Sequence, residues 1–294
     1  MSTDQLEVAA LPEPSRRIGR RRIRAFTSNP LAVVSAVFIV IVVLVAVFAD
    51  LIAPYGVAEA DLRNRFAPPL SPGHLLGTDD VGRDLLTRVI YGARVSLIAG
   101  FGAIGISLLI AVPSGLWAGG RPGRIDAALM WIVNVVLSIP PLILVFAMAG
   151  ILGAGLRTTV IALGVYFTPL FFRITRAETR SVMSTPMSTA AIASGLSSRR
   201  VLWRHVLPNI SAPLIVEASL AVGVAITGEA SLSFVGLGVQ PPTASWGVML
   251  TLAFNRVVQE PWMVLVPGAA IGLTVLAINM FGDGLRDAFG RVDD

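Results

Sequence analysis

The feature that most constrains this chain is an apolar run without a single charge, at residues 31–49. A helix needs about 20 such residues to cross the hydrocarbon core of a bilayer. In lipid the backbone must satisfy its own hydrogen bonds, so a run of this kind spans the membrane as a helix. The run is longer than the apolar region of a typical cleaved signal peptide and no clear cleavage site follows it, so it predicts an uncleaved anchor.

Five further segments have the same apolar character. They cover residues 95–118, 125–152, 158–172, 210–228 and 263–282. Composition agrees, since 54% of the 294 residues are apolar and only 14% are charged, whereas soluble domains carry about 25% charged residues. The sequence therefore predicts an all-α membrane protein with six transmembrane helices.

The arginines predict how these helices are oriented. The chain has no lysine, and 16 of its 23 arginines fall on the cytoplasmic side if both termini are cytoplasmic. Six lie within residues 16–24 and six more within the loop 173–209. Cytoplasmic loops carry such an excess of basic residues, so we expect both termini inside. The same excess explains the basic charge, and we expect no nucleic-acid partner.

Absent residue types exclude several functions. Without cysteine, there is no disulfide, thiolate metal site or thiol nucleophile. Without lysine, there is no phosphate-binding loop of the Walker type, so any energy that the protein uses must come from a partner or an ion gradient. The two histidines, His74 and His205, are predicted on opposite sides of the membrane. We therefore expect no catalytic site, no cofactor and no metal; the acids at 79–84 lack the ligand order of a calcium loop.

The cytoplasmic loop at residues 184–209 predicts two short helices separated by a glycine. Thr185-Pro186 is a typical helix start, and Gly195 is placed to end that helix in a left-handed conformation. One face of the first helix is formed by Met187, Ala190, Ala191 and Ser194, spaced at i, i+3, i+4 and i+7. Ser197 or Ser198 can cap the second helix, which we expect Pro208 to stop. Small residues allow close approach of another protein, although an ordinary amphipathic surface loop fits the same pattern.

Polar residues outside this loop have two interpretations each. Thr78 or Asp79 can cap a helix on the outer surface, or this stretch can contact another protein outside the membrane. The candidate contact residues are Thr78, Asp79, Asp80, Arg83, Asp84 and, further along the chain, Gln240. Ionisable groups at membrane depth are functional candidates by default. Candidates for the translocation path are Glu217, Glu229, Asn134 and Asn279, each of which can instead bond a neighbouring helix.

Two further features concern the membrane boundary. Residues 237–242 contain two prolines and cannot form regular helix, so we expect them at the outer rim of the passage. Trp117 and Trp262 lie near predicted span ends and are interpreted as interfacial anchors.

The cytoplasmic loop resembles a known motif. Ala190-Ala191 with Gly195 four residues on, followed by His205-Val-Leu207-Pro208-Asn209, is similar to the EAA loop of ABC importer membrane subunits. The resemblance implies a coupling helix that enters a cleft of the ATPase subunit. It assigns coupling to Thr189, Ala190, Ala191, Gly195, His205, Leu207 and Pro208. The family's glutamate is Thr189 here, so an ion pair made by that glutamate is absent.

Motifs along most of the chain resemble the C-type membrane subunits of dipeptide and oligopeptide permeases. They are Asn29-Pro30-Leu31, Ala53-Pro54-Tyr55, the stretches 76–85 and 91–97, 232–242 with Ser245-Trp246-Gly247, and Gly282-Asp283-Gly284-Leu285-Arg286-Asp287. The resemblance implies the type I ABC importer fold and a multi-pass place in the bacterial cytoplasmic membrane. Its implied partners are a homologous second permease subunit, two ATPase domains, an external solute-binding protein and a peptide substrate.

This resemblance also implies a division of the chain. We expect a cytoplasmic tail at 1–30, an anchor at 31–49, an external loop at 50–91, the transporter domain at 92–285 with its coupling loop at 184–209, and a cytoplasmic tail at 286–294. A stand-alone secondary transporter or channel would require symmetrical halves, and no internal repeat is visible. A non-transporting scaffold is a third alternative. Cargo stays open, since nickel, haem and glutathione importers share these motifs.

Overall fold

A computed structural model describes residues 23–290; residues 1–22 of the predicted N-terminal tail and 291–294 of the predicted C-terminal tail lie outside this range. The helices within it are α1 (Pro30–Val47), α2 (Ala49–Ile52), a 3₁₀ turn (Leu62–Asn64), α3 (Leu85–Gly120), α4 (Arg124–Ser138), α5 (Pro141–Leu152), α6 (Leu156–Met183), α7 (Pro186–Ala193), α8 (Ser198–Val201), a π turn (Leu202–Val206), α9 (Leu207–Phe234), α10 (Trp246–Phe254) and α11 (Trp262–Gly290). No strand occurs among the described residues.

Five helical segments are long and apolar enough to cross a membrane: α1, α3, α6, the continuous run Ser198–Phe234, and α11. Each contains or largely overlaps one of the predicted spans, so the all-α membrane architecture is confirmed. Most are longer than expected. In particular, α6 extends 11 residues beyond the predicted end at residue 172, because its second half is a charged extension that hydropathy does not detect.

The predicted third span at 125–152 is wrong as a single straight helix. It consists of α4 and α5, which meet at a bend of 93°. Ile139 is extended (φ −88°, ψ 120°) because the residue before a proline is driven out of the helical region. Pro140 then lacks the N–H that would continue the helix, and Pro141 starts α5. The two halves together can still form a sixth, broken span.

The centre of the molecule is the contact between α3 and α6. Gly115 and Gly119 stand one turn apart on α3, and a methyl group built on them would lie within 2.7 Å of Thr175 and Thr179 on α6. Small residues at this spacing let two helix backbones approach closely, which stabilises helix pairs in lipid. Since Gly102 similarly faces Val160, the two helices run parallel.

The remaining helices surround this pair. The π turn before α9 lies beside the end of α3, where Leu202 contacts Gly120, and the far end of α9 reaches Ser96. α11 runs antiparallel to α9, and α1 packs on the last turns of α11, where Ala32 meets Gly284. One side of the molecule therefore gathers the start of α1, the ends of α3, α6 and α11, and the loop between α6 and α9. This arrangement is the one that the arginine distribution predicts for the cytoplasmic side.

The prediction that Pro208 stops the second loop helix is wrong. The chain continues through the π turn into α9, with Pro208 in the first turn of that helix. In the π turn the Leu207 N–H bonds the Leu202 carbonyl five residues back. This wider turn shifts the hydrogen-bond register just where proline has no N–H to donate. The second half of this loop, from Ser198 onward, is thus continuous with a spanning helix.

Candidate functional site

The candidate coupling helix is α7, and both of its ends are formed by local side-chain and backbone chemistry. Thr185 caps its start by accepting a hydrogen bond from the Ser188 N–H, with Pro186 at the first position. Gly195 has φ +86°, as predicted for a left-handed terminus. The Leu196 N–H bonds the Ala191 carbonyl (3.2 Å) and the Gly195 N–H bonds that of Ile192 (2.9 Å), which together form a Schellman motif.

Most of the predicted coupling residues are accessible. Thr189, Ala190, Gly195 and Pro208 are exposed, and Met187 and Ile192 expose 51% and 41% of their surface on the same short helix. Three others are only half-buried: Ala191, His205 and Leu207. Ala191 and Leu207 also pack against the core. The surface open to a partner is therefore centred on Ala190 and not on Ala191.

The base of α7 is fixed to the end of α6. Ser188 is buried, and its Oγ donates to the Val182 carbonyl at 2.8 Å. On the other side of the loop, Ser197 caps α8 by accepting from the Arg200 N–H, as predicted. α7 is consequently held at its two ends by α6 and by the segment that leads into α9.

Contacts made by three arginines tie the second half of α6 to α4. Asp126 is buried and accepts hydrogen bonds from Arg176, with Nη2 at 2.9 Å, and from Arg180. Arg173 Nη2 donates to Asn134 Oδ1 at 2.8 Å. Asn134, a candidate path residue, thus makes an interhelical bond in this conformation. In the sequence, Asp126 is the one acid near the start of an otherwise apolar segment, and this position indicates a paired carboxylate.

On the opposite side of the molecule, the loop between α2 and α3 folds on itself. Thr78 is fully buried, donates to the Asn64 carbonyl, and accepts from the Ala67 N–H at 2.8 Å. Neither Thr78 nor Asp79 caps a helix, contrary to expectation. Asp84 has that role, accepting from the Thr87 N–H at 2.7 Å.

Asp79 is the centre of this external loop. It is 2% exposed and accepts from the N–H groups of Val81 and Arg83 and from Arg83 Nε at 2.7 Å. Arg88 Nε lies 3.7 Å from the same carboxylate, and Arg88 itself is only 1% exposed. A buried guanidinium requires such a counter-charge. The burial of Arg88 could not be predicted from the sequence, because its partner Asp79 lies in the preceding loop and meets it only when that loop folds back.

A second buried pair closes the loop. His74 Nδ1 lies 3.1 Å from Asp84 Oδ1, and Tyr55 packs its ring on His74 while donating to the Gly73 carbonyl. At the rim, Arg94 Nη2 donates to Asp50 at 2.9 Å. Its guanidinium holds the pKa of the Asp50 carboxyl below the ordinary value.

Burial divides the candidate contacts for an external protein. Thr78, Asp79 and Asp84 are buried with internal partners, so their side chains are not available at the surface. Asp80 and Arg83 are partly exposed, and Gln240 is exposed while its amide donates to the carbonyls of Gly236 and Gly238. Residues 235–245 are non-helical, as predicted.

Glu229 lies in the last turns of α9 and is fully buried. Ser233 Oγ donates to it at 2.7 Å, Ser96 Oγ lies within 3.3 Å, and Ser245 also hydrogen-bonds it. Ser245 caps α10 as well. The carboxyl therefore joins α3, α9 and α10, and it has no exposed surface with which to contact a peptide in this conformation.

Glu217 and Asn279 differ from Glu229. Both are half-buried, and Glu217 lies in the middle of α9. Within residues 23–290, neither side chain has a hydrogen bond or an ion pair. The described part of the chain also contains no cluster of three or more His, Asp or Glu residues that could hold a metal.

Comparison with known proteins identifies the family. Residues 111–291 match the family described as the binding-protein-dependent transport system inner membrane component, and residues 19–69 match the N-terminal transmembrane domain of oligopeptide transport permease C. The chain is 42% identical over 270 residues to the di/tripeptide transport system permease of Pseudomonas aeruginosa, covering 90% of this chain and 89% of the relative. The chain belongs to this family of membrane permeases.

Further similarities agree. The dipeptide transport system permease of Escherichia coli K12 is 42% identical over 268 residues, covering 90% of this chain and 89% of the relative. An inward-facing structure of the MetNI methionine ABC transporter shares the fold, with a TM-score of 0.56 and 20% identity over 68% of this chain and 96% of that one. The protein is therefore a multi-pass component of the cytoplasmic membrane with a type I importer fold. It is a permease component, and separate subunits hydrolyse ATP in such transporters.

Proposed function

We propose that this chain is one of two membrane-spanning subunits of an ABC importer that carries di- or oligopeptides into the cell, driven by ATP hydrolysis in partner subunits. The observation that carries the proposal is α7: an exposed, small-residue helix with a Schellman terminus, followed after a short turn by a helical segment, 198–234, that runs without a break into α9. Peptide cargo is supported by the names of relatives at about 42% identity over 90% of the chain. An external binding protein delivers the substrate, and Asp80, Arg83 and Gln240 are the accessible residues that contact this binding protein.

Coupling follows from the way α7 is mounted. Closure of the ATPase subunits on ATP displaces α7, and the continuous segment 198–234 carries this movement into the membrane. α6 moves with it, because Ser188 is bonded to Val182, and Asp126 transmits the shift to α4. The helices then alternate between inward- and outward-facing arrangements. Glu217 and Asn279 line the path in this proposal, since both are half-buried and unpaired among the described residues.

The orientation is testable because the chain lacks cysteine. Thr243 and Ser197 are both exposed, on opposite sides of the molecule. A single cysteine at Thr243 should react with an impermeant maleimide in intact cells, whereas one at Ser197 should react only after the membrane is opened. Labelling of Ser197 in intact cells would reverse the orientation and remove the loop from the ATPase side.

Coupling is tested at Ala190 and Gly195. Ala190→Trp adds bulk to the exposed face, and Gly195→Val places a β-branched residue at φ +86°, at a cost of about 1–2 kcal/mol. Nothing lies within 4 Å of a Cβ at Gly195, so only the backbone is strained. We expect normal membrane insertion, loss of peptide uptake in reconstituted vesicles, and weaker co-purification of the ATPase subunits.

Matched controls separate docking from folding. Ala190→Ser keeps the surface small, and Gly195→Asn is tolerated in the left-handed region, so both should transport normally. Ala191→Trp is less informative, because Ala191 packs partly on the core. If Ala190→Trp and Gly195→Val transport peptide like the parent, α7 is not the coupling element.

A further inference from the structure

The end of α3 and the segment after α7 enclose a cleft of about 350 Å³. This volume falls in the range of small-molecule sites, about 300–1,000 Å³. Its apolar walls include Leu116 and Leu202, and its rim carries Trp117, Arg121, Arg199 and Trp203. No residue of α7 lines it, so the cleft is separate from the coupling face.

The two arginines have no counter-charge among the described residues. Within residues 23–290, neither Arg121 nor Arg199 makes an ion pair or a side-chain hydrogen bond. Nearby Arg176 and Arg180, by contrast, are both paired with Asp126. Two unpaired guanidinium groups at one cleft favour an anionic ligand, and phosphate is the anion whose geometry arginine matches best.

The cleft also lies at the depth of the lipid headgroups. The apolar segment of α3 ends at residue 118 and spans about 36 Å at 1.5 Å per residue, slightly more than the hydrocarbon core of about 30 Å, so the end at Gly120 reaches the interface. Trp117 and Trp203 are 53% and 49% exposed there, and tryptophan concentrates at this boundary. An apolar groove below a basic rim fits an amphiphile, with its chain in the groove and its charge on the rim.

We propose that this cleft binds an anionic phospholipid, with an acyl chain against Leu116 and Leu202 and the phosphate between Arg121 and Arg199. Basic pockets between helices are known to hold anionic headgroups at the membrane surface. The bound lipid would brace α3 against the π turn that leads from the coupling loop into α9. Transport would then depend on the lipid composition of the bilayer.

In the test, the purified complete transporter is incubated with vesicles of phosphatidylglycerol or of phosphatidylcholine. Native mass spectrometry then measures the lipid that the transporter retains. Phosphatidylglycerol should be retained preferentially. The double variant Arg121→Gln with Arg199→Gln should weaken the retention of phosphatidylglycerol about 30-fold, the effect of losing two arginine charges near anionic headgroups. The retention of phosphatidylcholine should not change. The double lysine variant keeps the charge and should retain the lipid.

The control is Arg63→Gln with Arg157→Gln, which removes two arginines at the opposite end of the molecule and should leave retention unchanged. Excess inorganic phosphate should not compete, because it lacks the acyl chain. Unchanged retention in the double glutamine variant would overturn the proposal. If the double glutamine variant kept its lipid but lost the ATPase subunits, the proposal would also be overturned, because the two arginines would then bind a protein and not a lipid. No peptide is added, so the outcome is independent of the cargo.

Discussion

The external loop before α3 and the cytoplasmic loop after α6 are connected to the protein in opposite ways. In the external loop, Thr78, Asp79 and Asp84 are buried and bonded to groups within the loop and the first turn of α3. In the cytoplasmic loop, most hydrogen bonds are local caps, and α7 presents much of its surface to solvent. The external loop completes its own structure, whereas the cytoplasmic loop has a defined shape whose apolar residues Met187 and Ile192 stay exposed within the described part of the chain.

The comparison predicts where polar substitutions unfold the protein and where they uncouple it. Substitutions of buried groups on the external side should lower stability, and substitutions on α7 should lower transport at constant stability. A stable but inactive variant on the external side, or an unfolded variant on α7, would contradict this difference between the two loops.

The largest effect is expected for Asp79→Ala. Removing this carboxylate leaves Arg88, which is 1% exposed, without its counter-charge. Loss of one partner of a buried ion pair costs about 3–5 kcal/mol. We expect a lower melting temperature of the detergent-purified transporter and faster proteolysis of residues 50–84 from outside.

Asp80→Asn is the adjacent control. Its carboxylate is 38% exposed and lies 3.6 Å from Arg83, a geometry worth about 0–1 kcal/mol. It should therefore leave the melting temperature nearly unchanged. If Asp79→Ala were as stable as Asp80→Asn but failed to accept substrate from the binding protein, the external loop would be a docking surface and not a self-contained structure.

An intermediate effect is expected at Glu229. Glu229→Ala leaves the hydroxyls of Ser96 and Ser233 without their acceptor, at a cost of about 1–3 kcal/mol. Glu229→Gln retains a carbonyl acceptor and should be nearly as stable as the parent, with near-normal peptide uptake. Measurements of melting temperature and uptake together decide the role, since Glu229→Gln with normal stability and no uptake would place this carboxyl in the translocation path.

Local chemistry in the cytoplasmic loop could be predicted from the sequence. The Thr185 cap, the left-handed Gly195 and the Ser197 cap all depend on residues within a few positions of each other. Hydropathy likewise located each apolar span. It missed the 93° break at Ile139 because Pro140 lies inside an otherwise apolar run and adds no charge.

Long-range polar contacts could not be predicted in the same way. Glu229 and Ser96 are 133 positions apart, and Asp126 and Arg176 are 50 apart. A periodicity argument identifies which face a residue lies on, but it does not identify the helix that meets this face. The buried role of Asp79 depends in the same way on how the loop folds back over Arg88.

The smallest effect is expected for Thr189→Ala, which tests whether a single exposed hydroxyl on α7 contributes to coupling. Thr189 is exposed on α7, and its hydroxyl donates only to the Thr185 carbonyl one turn back, at 3.2 Å. The resembling loops carry a glutamate here, and Thr189 has no charge with which to replace it. Loss of a local exposed hydroxyl should change stability by less than about 0.5 kcal/mol, and peptide uptake should match the parent. Thr185→Ala is the matched comparison, because it removes the helix cap at a cost of about 1 kcal/mol. Strong loss of uptake in Thr189→Ala with intact co-purification would show that Thr189 contacts the ATPase directly, and coupling would then depend on this hydroxyl in addition to the shape of α7.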